Sequence, residues 1–339
     1  MGRRGPTLED VAREAGVSRA TVSRVVNRVR NVDPGIQEAV RRAIDRTGYS
    51  PNLAARSLVT RRTEAVALVL SGAGETFTAR VFSDPFFGRA VEGALGFLRA
   101  RAIHPVLLLA ESGAAREQVV AYLRQGSADG ALVVSVQTDD PLAGMLAEAG
   151  VPAVHFARPA GPARSSHVDV DNAGGGRLAG AHLLARGRSR IATICGPPGL
   201  PAARERLRGF REALREAGIG DVPTAEGCFT VESGAAAAAR LLAEHPHLDG
   251  VFAANDLMAR GACQYLRERG RSVPGDVSVV GFDDSSAAVA CRPTLTTVRQ
   301  PVERMAAAMA QLLTEHLQGT RTAPASLVFE PELVVRESS

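Results

Sequence analysis

Most of the chain, from residue 64 onward, alternates short apolar runs with longer amphipathic stretches. Each run is too short for a helix and is bounded by turn residues, which is typical of strands buried on both faces of a parallel sheet. Seven strands are predicted, at 65–70, 105–109, 130–134, 153–156, 191–195, 250–253 and 277–281. Helices are predicted between them, including 88–101, 173–186, 206–217 and 256–269. The alternation predicts a doubly wound α/β architecture, with ligands bound at the carboxyl ends of the strands.

The first 50 residues follow another pattern, in which apolar positions recur at helical spacing. Thr7, Ser18 and Asp33 are each placed to cap the start of a helix, and Gly16 and Gly48 to end the first and the third. The stripes predicted to be buried contain Leu8, Val11, Ala12, Val22, Val25, Val26, Ile36, Val40 and Ile44. A helix, a four-residue turn and a second helix form the arrangement that places a helix in the DNA major groove.

The outward face of the second helix carries small or hydrogen-bonding side chains and no acids: Arg19, Ala20, Ser23, Arg24 and Asn27. Residues 1–62 contain 13 arginines and six acidic residues, a net charge of +7, whereas the rest of the chain is near −3. A short basic segment on a mildly acidic body is typical of a phosphate-binding module attached to a domain that does not bind nucleic acid. The sequence therefore predicts a DNA-binding head.

Composition narrows the class of protein further. No apolar run reaches the roughly 18 residues of a membrane span, and none follows the basic start of the chain, so neither a membrane span nor secretion is expected. The four cysteines lie far apart with no C-x-x-C pair, which predicts reduced thiols and no metal site. No arrangement of catalytic residues stands out. We expect a cytoplasmic, nucleoid-associated protein that is not an enzyme and has no cofactor.

One continuous motif carries a family resemblance. From Thr7 to Asn27 the chain reads TLEDVAREAGVSRATVSRVVN, followed by YSPN at 49–52, ARSL at 55–58 and TRRT at 60–63. These segments closely resemble the start of LacI/GalR (lactose-repressor) family regulators, and the similarity continues over nearly the whole chain. The resemblance implies a sequence-specific DNA-binding transcriptional regulator, expected to be a repressor.

The resemblance also implies which residues contact DNA. Those facing base edges would be Arg19, Ala20 and Arg24, and those holding phosphates would be Thr7, Ser18, Thr21, Ser23 and Asn27. A guanidinium such as that of Arg24 can bond O6 and N7 of guanine together, which contributes roughly 1–3 kcal/mol of discrimination. The methyl group of Ala20 either touches a thymine or only allows the helix to approach the DNA closely. The identity of residue 20 therefore does not predict an operator sequence.

Residues 51–63 are predicted to form a hinge helix and linker after the head at 1–50. The segment Asn52–Leu58 is too short to be a stable helix alone in water. The resemblance implies that it folds on operator DNA, where Leu58 enters the minor groove and Asn52, Ala55 and Arg56 lie beside it. Such an apolar wedge unstacks a base step and kinks the duplex. The alternative is an ordinary linker that happens to contain a leucine.

The body, at 64–339, resembles periplasmic sugar-binding proteins, which implies two lobes joined by three chain crossings with a cleft between them. This effector-binding and dimerisation domain is expected to cross between lobes near 158–164, 290–294 and 321–325. These crossings assign 64–163 and 292–322 to the N-lobe, and 164–291 and 323–339 to the C-lobe.

Polar side chains follow the ends of three predicted strands, where the cleft is expected. A polyhydroxylated ligand requires planar hydrogen-bonding groups and an aromatic face. The family's effector contacts match Arg206, Asn255 and Asp283, and Phe86, Phe229 and Gln300 occupy commonly contacting positions. Asp256 and Asp284 are predicted to cap the segments that follow them.

One position departs from the family pattern. Many relatives carry an aspartate before an Arg-Pro pair, whereas Ala157 precedes Arg158 here, so a hydroxyl-binding carboxylate is expected to be missing.

The expected partners are pseudo-palindromic double-stranded operator DNA, a second copy of the chain in a homodimer, and a small-molecule effector, expected to be a sugar. The identity of the effector, the operator and the sign of control stay open.

Two other classes of protein fit parts of the sequence. An NAD-dependent oxidoreductase would use Gly72 and Gly74 after the first strand of the body, but no third glycine completes the dinucleotide fingerprint. A solute-binding protein without a regulatory role would explain the body, but it would need a signal peptide and would leave residues 1–62 without a purpose. The sequence therefore favours a ligand-controlled regulator over both alternatives.

Overall fold

The computed structural model describes residues 6–26, 32–49, 62–74, 77–135, 137, 139–159 and 165–339. The chain separates into two compact units, which divide in sequence between Glu64 and Ala65. In the described residues the first unit contains three helices, and the second contains two six-stranded sheets flanked by helices.

The first unit is the helical head. Its helices are α1 (Leu8–Ala15), α2 (Arg19–Val26) and α3 (Pro34–Thr47). Thr7 and Asp10 form a reciprocal capping box at α1, and Asp33 accepts hydrogen bonds from the first amides of α3. Gly16 and Gly48 end α1 and α3 in the left-handed conformation. The predicted helices and caps are confirmed, and the buried core comprises Val11, Ala12, Val22, Val40 and Ala43.

The second unit alternates strands with helices. The strands are β1 (Ala65–Ser71), β2 (His104–Ala110), β3 (Ala131–Ser135), β4 (Ala153–Phe156), β5 (Ser166–Val170), β6 (Ile191–Cys195), β7 (Thr224–Glu226), β8 (Gly250–Ala253), β9 (Ser278–Asp283), β10 (Thr296–Arg299), β11 (Ser326–Phe329) and β12 (Glu332–Val334). The helices are α4 (Phe77–Ser83), α5 (Pro85–Arg99), α6 (Gly113–Arg124), α7 (Leu142–Glu148), α8 (Asn172–Ala185), α9 (Pro201–Glu216), α10 (Val231–Glu244), α11 (Asp256–Glu268), α12 (Ser286–Ala290) and α13 (Val302–Leu317). All seven predicted strands are present.

The strands form two sheets, each the centre of one lobe. The N-lobe sheet has the order β11-β5-β4-β3-β1-β2, and the C-lobe sheet the order β12-β10-β9-β8-β6-β7. Neighbouring strands are parallel except β10 and β12, which pair antiparallel. Strands β1 and β9 are buried along their whole length, as expected for central strands of a doubly wound fold with helices on both faces. The predicted fold class is confirmed.

The chain crosses between the lobes later than the sequence predicts. β5 still belongs to the N-lobe sheet, so the first crossing lies at Asp171 rather than at 158–164. β10 belongs to the C-lobe sheet, which moves the second crossing from 290–294 to about Gln300, and β11 to β12 forms the third near 330 instead of 321–325. The predicted lobe boundaries shift accordingly. The predicted positions were wrong because they were taken from proline- and glycine-rich loops. In the structure the chain passes between the lobes directly after the ends of β5, β10 and β11.

Helices α8 and α9 cross at close range beside the C-lobe sheet. A Cβ atom added to Gly209 would overlap the backbone carbonyl of Ala173, and one added to Gly176 would overlap the carbonyl of Arg206. The two glycines therefore permit backbone contact between the helices. This contact fixes the position of Arg206, which lies one turn before Gly209 on α9.

Substituting alanine for Gly209 is expected to lower the free energy of unfolding by about 1–3 kcal/mol, because the added methyl group must push α8 and α9 apart. Gly144, in the exposed face of α7, is the matched control, since in the described structure an added Cβ there has no atom within 4 Å. Gly144→Ala is expected to be neutral or to stabilise by up to about 1 kcal/mol. Urea denaturation of both variants measures the difference, and equal midpoints would contradict the close crossing.

Candidate functional site

The outward face of the head contains the predicted DNA contacts that the structure describes. Ser18, Arg19, Ala20 and Arg24 are exposed, while Thr7, Thr21 and Ser23 are half-buried at its margin. Ser18 and Thr21 pair their hydroxyl groups at 2.9 Å across the start of α2. This face presents donors at the N-terminal end of the helix, which also suits phosphate binding. The predicted contacts at Asn27, Asn52, Ala55, Arg56 and Leu58 lie outside the described residues.

Arg19 makes a contact that the sequence does not reveal. Its Nε lies 3.0 Å from the Glu9 carboxylate on the neighbouring helix α1, and both side chains are more than half exposed. Exposed ion pairs contribute about 0–1 kcal/mol, so DNA phosphates or bases can replace this partner at little cost. The helix α2 itself contains no acid, as predicted, but an acid of α1 borders its recognition face.

The second site is a cleft in the body at the carboxyl ends of the strands. Side chains of both lobes line it, and it contains all six residues predicted to bind an effector: Phe86, Arg206, Phe229, Asn255, Asp283 and Gln300. Nine further polar residues of this cleft were not predicted to bind the effector: Arg80, Asp84, Ser135, Gln137, Asp140, His155, Arg158, Asp169 and Asn172. Most of these come from the N-lobe, where the sequence offers no strand-end motif as distinctive as that of the C-lobe.

Arg206, on α9, is the centre of a buried network at the base of the cleft. Its Nε donates to Asn172 Oδ1 at 2.9 Å, Nη1 donates to the Ala254 carbonyl at 2.7 Å, and Nη2 donates to Gln300 Oε1 at 2.8 Å. The guanidinium plane also stacks on the Phe282 ring, 3.6 Å from its centroid. Three directed hydrogen bonds and one stacked face fix this side chain. Only a planar guanidinium can make these four interactions at once.

Asp283 lies beside Arg206 at the end of β9, with one carboxylate oxygen 3.6 Å from Nη1. Its backbone is in the left-handed region at φ 105°, which turns the carboxyl group away from the strand direction. Burial raises the pKa of Asp283 to about 8 even though Arg206 opposes the shift, because the carboxylates of Asp256 and Asp84 add to it. Burial also raises the pKa of Asp84 and Asp169 in the same cleft. Several buried carboxyl groups therefore compete for the positive charge of Arg206, with Arg80 and Arg89 contributing at Asp84 and Asp283.

The Asp283 carboxyl makes stability depend on pH. The folded protein holds its proton up to about pH 8, whereas an unfolded aspartate loses its proton near pH 4. Because the folded state binds the extra proton between these values, its stability falls as pH rises through this window. We expect the unfolding free energy of the natural protein to fall relative to that of Asp283→Asn when urea denaturation is repeated from about pH 5 to 8.

Asp276 provides the control for this prediction. It is exposed, and hydrogen bonds from Ser272 lower its pKa, so it is ionised in both states across the same range. Asp276→Asn should therefore follow the natural protein at every pH. If the free energy of unfolding of Asp283→Asn also has the same pH dependence as that of the natural protein, Asp283 is ionised in the folded state. The inferred competition of carboxyl groups is then wrong.

Two aspartates predicted to be helix caps have other roles. Asn255, not Asp256, caps α11 by accepting from the Met258 amide at 2.9 Å. Asp256 is buried and accepts from the Ser285 amide and the Thr297 hydroxyl, which tie α11 to β10. Asp284 pairs with Arg299 and Arg336, and Ser285 caps α12 instead. The true caps each lie one residue away, a shift that a sequence pattern alone does not resolve.

Aromatic rings stand on both walls of the cleft. Phe86, at the start of α5 in the N-lobe, packs edge-to-face against Phe156 with centroids 5.2 Å apart. Phe229 belongs to the C-lobe and has φ 64°, and its ring lies directly over Gly196, where any side chain would overlap it. The two rings offer apolar faces suited to the C–H side of a ring-shaped ligand.

The N-lobe wall contains carboxylates near the position of Ala157. Asp140 pairs with the buried Arg116 at 2.9 Å and accepts from Ser135 at 2.7 Å. Burial alone would raise its pKa, but hydrogen bonds from Ser71, Ser135 and the Leu142 amide, together with the charge of Arg116, lower it. Asp169 accepts from its neighbouring amide and from Asn172. The N-lobe wall of the cleft therefore contains carboxyl groups at other positions, while residue 157 contributes none.

Other kinds of site are not evident in the residues described. Among them, no helix is long and apolar enough to cross a membrane. Within the same described ranges, no cluster of three or more His, Cys, Asp or Glu side chains is arranged to hold a metal ion. The two sites are thus an exposed helix-turn-helix face and a cleft between two parallel sheets. Together they define the class of DNA-binding transcriptional regulators with a ligand-sensing body.

Comparison with known proteins identifies the family. Residues 7–52 match the bacterial regulatory proteins of the lacI family, and residues 181–339 match the periplasmic binding protein-like domain. HTH-type transcriptional regulator CelR of Thermobifida fusca is 48% identical over 340 residues, 99% of each chain. HTH-type transcriptional regulator DegA of Bacillus subtilis (strain 168) is 32% identical over 98% of each chain. The chain belongs to the lacI family, and it is a DNA-binding transcriptional regulator.

Solved structures agree with this membership. The transcriptional regulator CelR–cellobiose complex has a TM-score of 0.78 and 46% identity, and the match covers 98% of this chain and 100% of that one. The lac repressor dimer bound to operator and the anti-inducer ONPF has a TM-score of 0.83 and 26% identity, covering 99% of both chains. The head and the two-sheet body thus follow the architecture of known ligand-controlled regulators.

Proposed function

We propose that this protein represses genes of carbohydrate uptake or catabolism and that a sugar bound in the cleft changes its affinity for operator DNA. The observation that carries the proposal is the cleft, which gathers all six predicted effector residues from two lobes of one body. A ligand that binds one lobe arrangement better than another shifts the population between them, and typical couplings are about 1–3 kcal/mol.

Cellobiose is the first effector to test. The solved structure whose sequence is 46% identical over nearly the whole chain is described as a CelR–cellobiose complex. The cleft here suits such a disaccharide, since it combines aromatic faces on both walls with the carboxyl groups of Asp140, Asp169 and Asp283 and the amide of Gln300. Carboxylates and planar amides accept and donate the multiple hydrogen bonds that sugar hydroxyl groups require.

We infer that the operator is read by α2 of the head. Arg19, Ala20 and Arg24 would face base edges, and Thr7, Ser18, Thr21, Ser23 and Asn27 would hold phosphates. The hinge residues Asn52, Ala55, Arg56 and Leu58 would enter the minor groove. The exposed positions of Arg19, Ala20 and Arg24 on one face of α2 support this assignment.

A homodimer would present two heads to a pseudo-palindromic operator. The related lac repressor is described as a dimer bound to operator. Edge strand β2 supports the same assembly for this chain, because its Leu107 side chain is 47% exposed between apolar neighbours. We place this dimer in the cytoplasm on the nucleoid, without a cofactor and without a catalytic step, in line with two relatives that are named HTH-type transcriptional regulators.

Two measurements test the proposal. Isothermal titration calorimetry with cellobiose and glucose should show saturable binding of cellobiose, and selection from a randomised palindromic DNA pool should return one enriched sequence. Absence of heat with both sugars would contradict the carbohydrate effector. Sugar binding without any enriched DNA sequence would instead favour the alternative, a solute-binding protein without a regulatory role.

A further inference from the structure

Helix α4 is a short element fixed firmly to the N-lobe beside the cleft. The Phe77 ring is buried and lies directly over Gly72 at the end of β1, where an added Cβ atom would overlap it. Phe77 also packs edge-to-face on Phe87, with centroids 6.1 Å apart, and Val81 is buried one turn later. These apolar contacts anchor α4 to the N-lobe. They thereby determine where the side chains of α4 that line the cleft begin.

Arg80 of α4 reaches across the cleft to the other lobe. Its guanidinium carbon lies 5.2 Å from the centroid of the Phe229 ring, within the range of a cation–π interaction. In the described structure there are five contacts of this kind, and the other four each join residues of a single lobe. The contact between Arg80 and Phe229 therefore depends on how close the two lobes are to each other.

The Arg80 side chain also retains an unused donor. Its Nε is buried and has no hydrogen-bond partner among the residues described, although Arg80 lines the cleft. A buried N–H group without an acceptor costs free energy, which a ligand oxygen recovers once a shift of the side chain exposes Nε to the cleft. The contrast with Arg206 is informative, because every nitrogen of that guanidinium already donates to a protein acceptor. Two of the five N–H groups of Arg206 remain free of these three bonds, but in Arg80 the Nε donor has no protein acceptor at all among the residues described.

We propose that Arg80 is an effector-binding residue that closes the cleft: its Nε–H donates to a sugar hydroxyl while its guanidinium packs on Phe229 of the opposite lobe. This inference rests on the proposed carbohydrate effector. The ligand completes the hydrogen bonding of Arg80 only when the lobes are close enough for the Phe229 contact. Arg80 thereby links ligand binding to the lobe arrangement, which a contact confined to one lobe would not do.

Calorimetric titration with cellobiose tests the proposal in the full-length protein. Arg80→Ala is expected to weaken binding by about 10- to 100-fold, since it loses the donor and the stacked cation together. Arg80→Lys keeps the charge but loses the planar donor, and it should fall between Arg80→Ala and the natural protein. Arg101 is the matched control, since it stacks on Phe97 of the same lobe outside the cleft at 3.6 Å. Arg101→Ala should bind cellobiose within about twofold of the natural protein.

Hydrogen exchange provides a second readout that a purely local role would not change. In Arg80→Ala, cellobiose should protect the segment around Phe229 less than it does in the natural protein, at sugar concentrations that saturate both. The proposal is overturned if Arg80→Ala binds cellobiose normally, or if protection around Phe229 is the same in both proteins at saturation. If the natural protein does not bind cellobiose, the proposed effector is wrong. If the natural protein binds cellobiose and Arg80→Ala binds it equally well, only the role of Arg80 is wrong.

Discussion

Arg206→Lys is expected to weaken effector binding by about 100-fold or more, giving a regulator whose affinity for operator DNA no longer responds to sugar. Lysine keeps the charge among the surrounding carboxyl groups but cannot bond Asn172, Ala254 and Gln300 together in one plane. Each of these hydrogen bonds within the protein contributes roughly 1.5–3 kcal/mol, so loss of two of them removes the arrangement at the base of the cleft on which effector binding is proposed to depend. Calorimetry with cellobiose and fluorescence anisotropy with operator DNA measure the two effects separately.

Arg208 on the same helix is the control for this prediction. Its side chain is half exposed and pairs with Glu205 and Glu212 on the surface of α9. Arg208→Lys should leave both affinities within about twofold of the natural protein. Cellobiose binding by Arg206→Lys at the natural affinity would show that the buried network does not shape the cleft. Circular dichroism of both variants checks that the fold is retained.

Arg24→Ala is expected to lower affinity for the selected operator by roughly 1–3 kcal/mol, or about 5- to 150-fold, with little change for scrambled DNA. The physical reason is that a guanidinium on the exposed face of α2 can bond both O6 and N7 of guanine, which alanine cannot do. Anisotropy titrations on the two duplexes, performed at one salt concentration, measure the ratio between specific and nonspecific binding.

Arg41→Ala removes the same charge from an exposed position on α3 and serves as the electrostatic control. It should reduce binding to both duplexes by a similar small factor. An equal loss on operator and scrambled DNA in Arg24→Ala would mean that Arg24 contacts phosphate rather than a base edge.

The head could be predicted from sequence almost in full because its signals are local. Thr7, Asp33, Gly16 and Gly48 each act on amides or carbonyls within one turn of their own position, so a pattern of residues along the chain determines the helix ends. The inner strands of the body were predictable for a related reason. Helices cover both of their faces, and burial on both sides leaves an unbroken apolar run.

The crossings and half of the cleft could not be predicted because they depend on contacts between distant segments. β5 contains His167 and Asp169 among its apolar residues, and β11 is mostly exposed, so neither has the apolar run of an inner strand. Asp140 enters the cleft through its pairing with Arg116, and Arg80 through the packing of Phe77 on Gly72. Asn255 and Asp283 of the C-lobe were predicted because they lie at the ends of buried strands, and Arg206, Phe229 and Gln300 because they match positions at which the family contacts its effectors.

The central claim is that a ligand in the cleft controls the affinity of the head for DNA. The most direct test is a fluorescence anisotropy titration of the full-length protein against its selected operator, with and without saturating cellobiose. We predict that the sugar changes the operator Kd by at least about fivefold, in line with a coupling free energy of 1–3 kcal/mol, and that binding to scrambled DNA is unchanged. Superimposable operator isotherms from a protein that calorimetry shows to be saturated with cellobiose would contradict the claim.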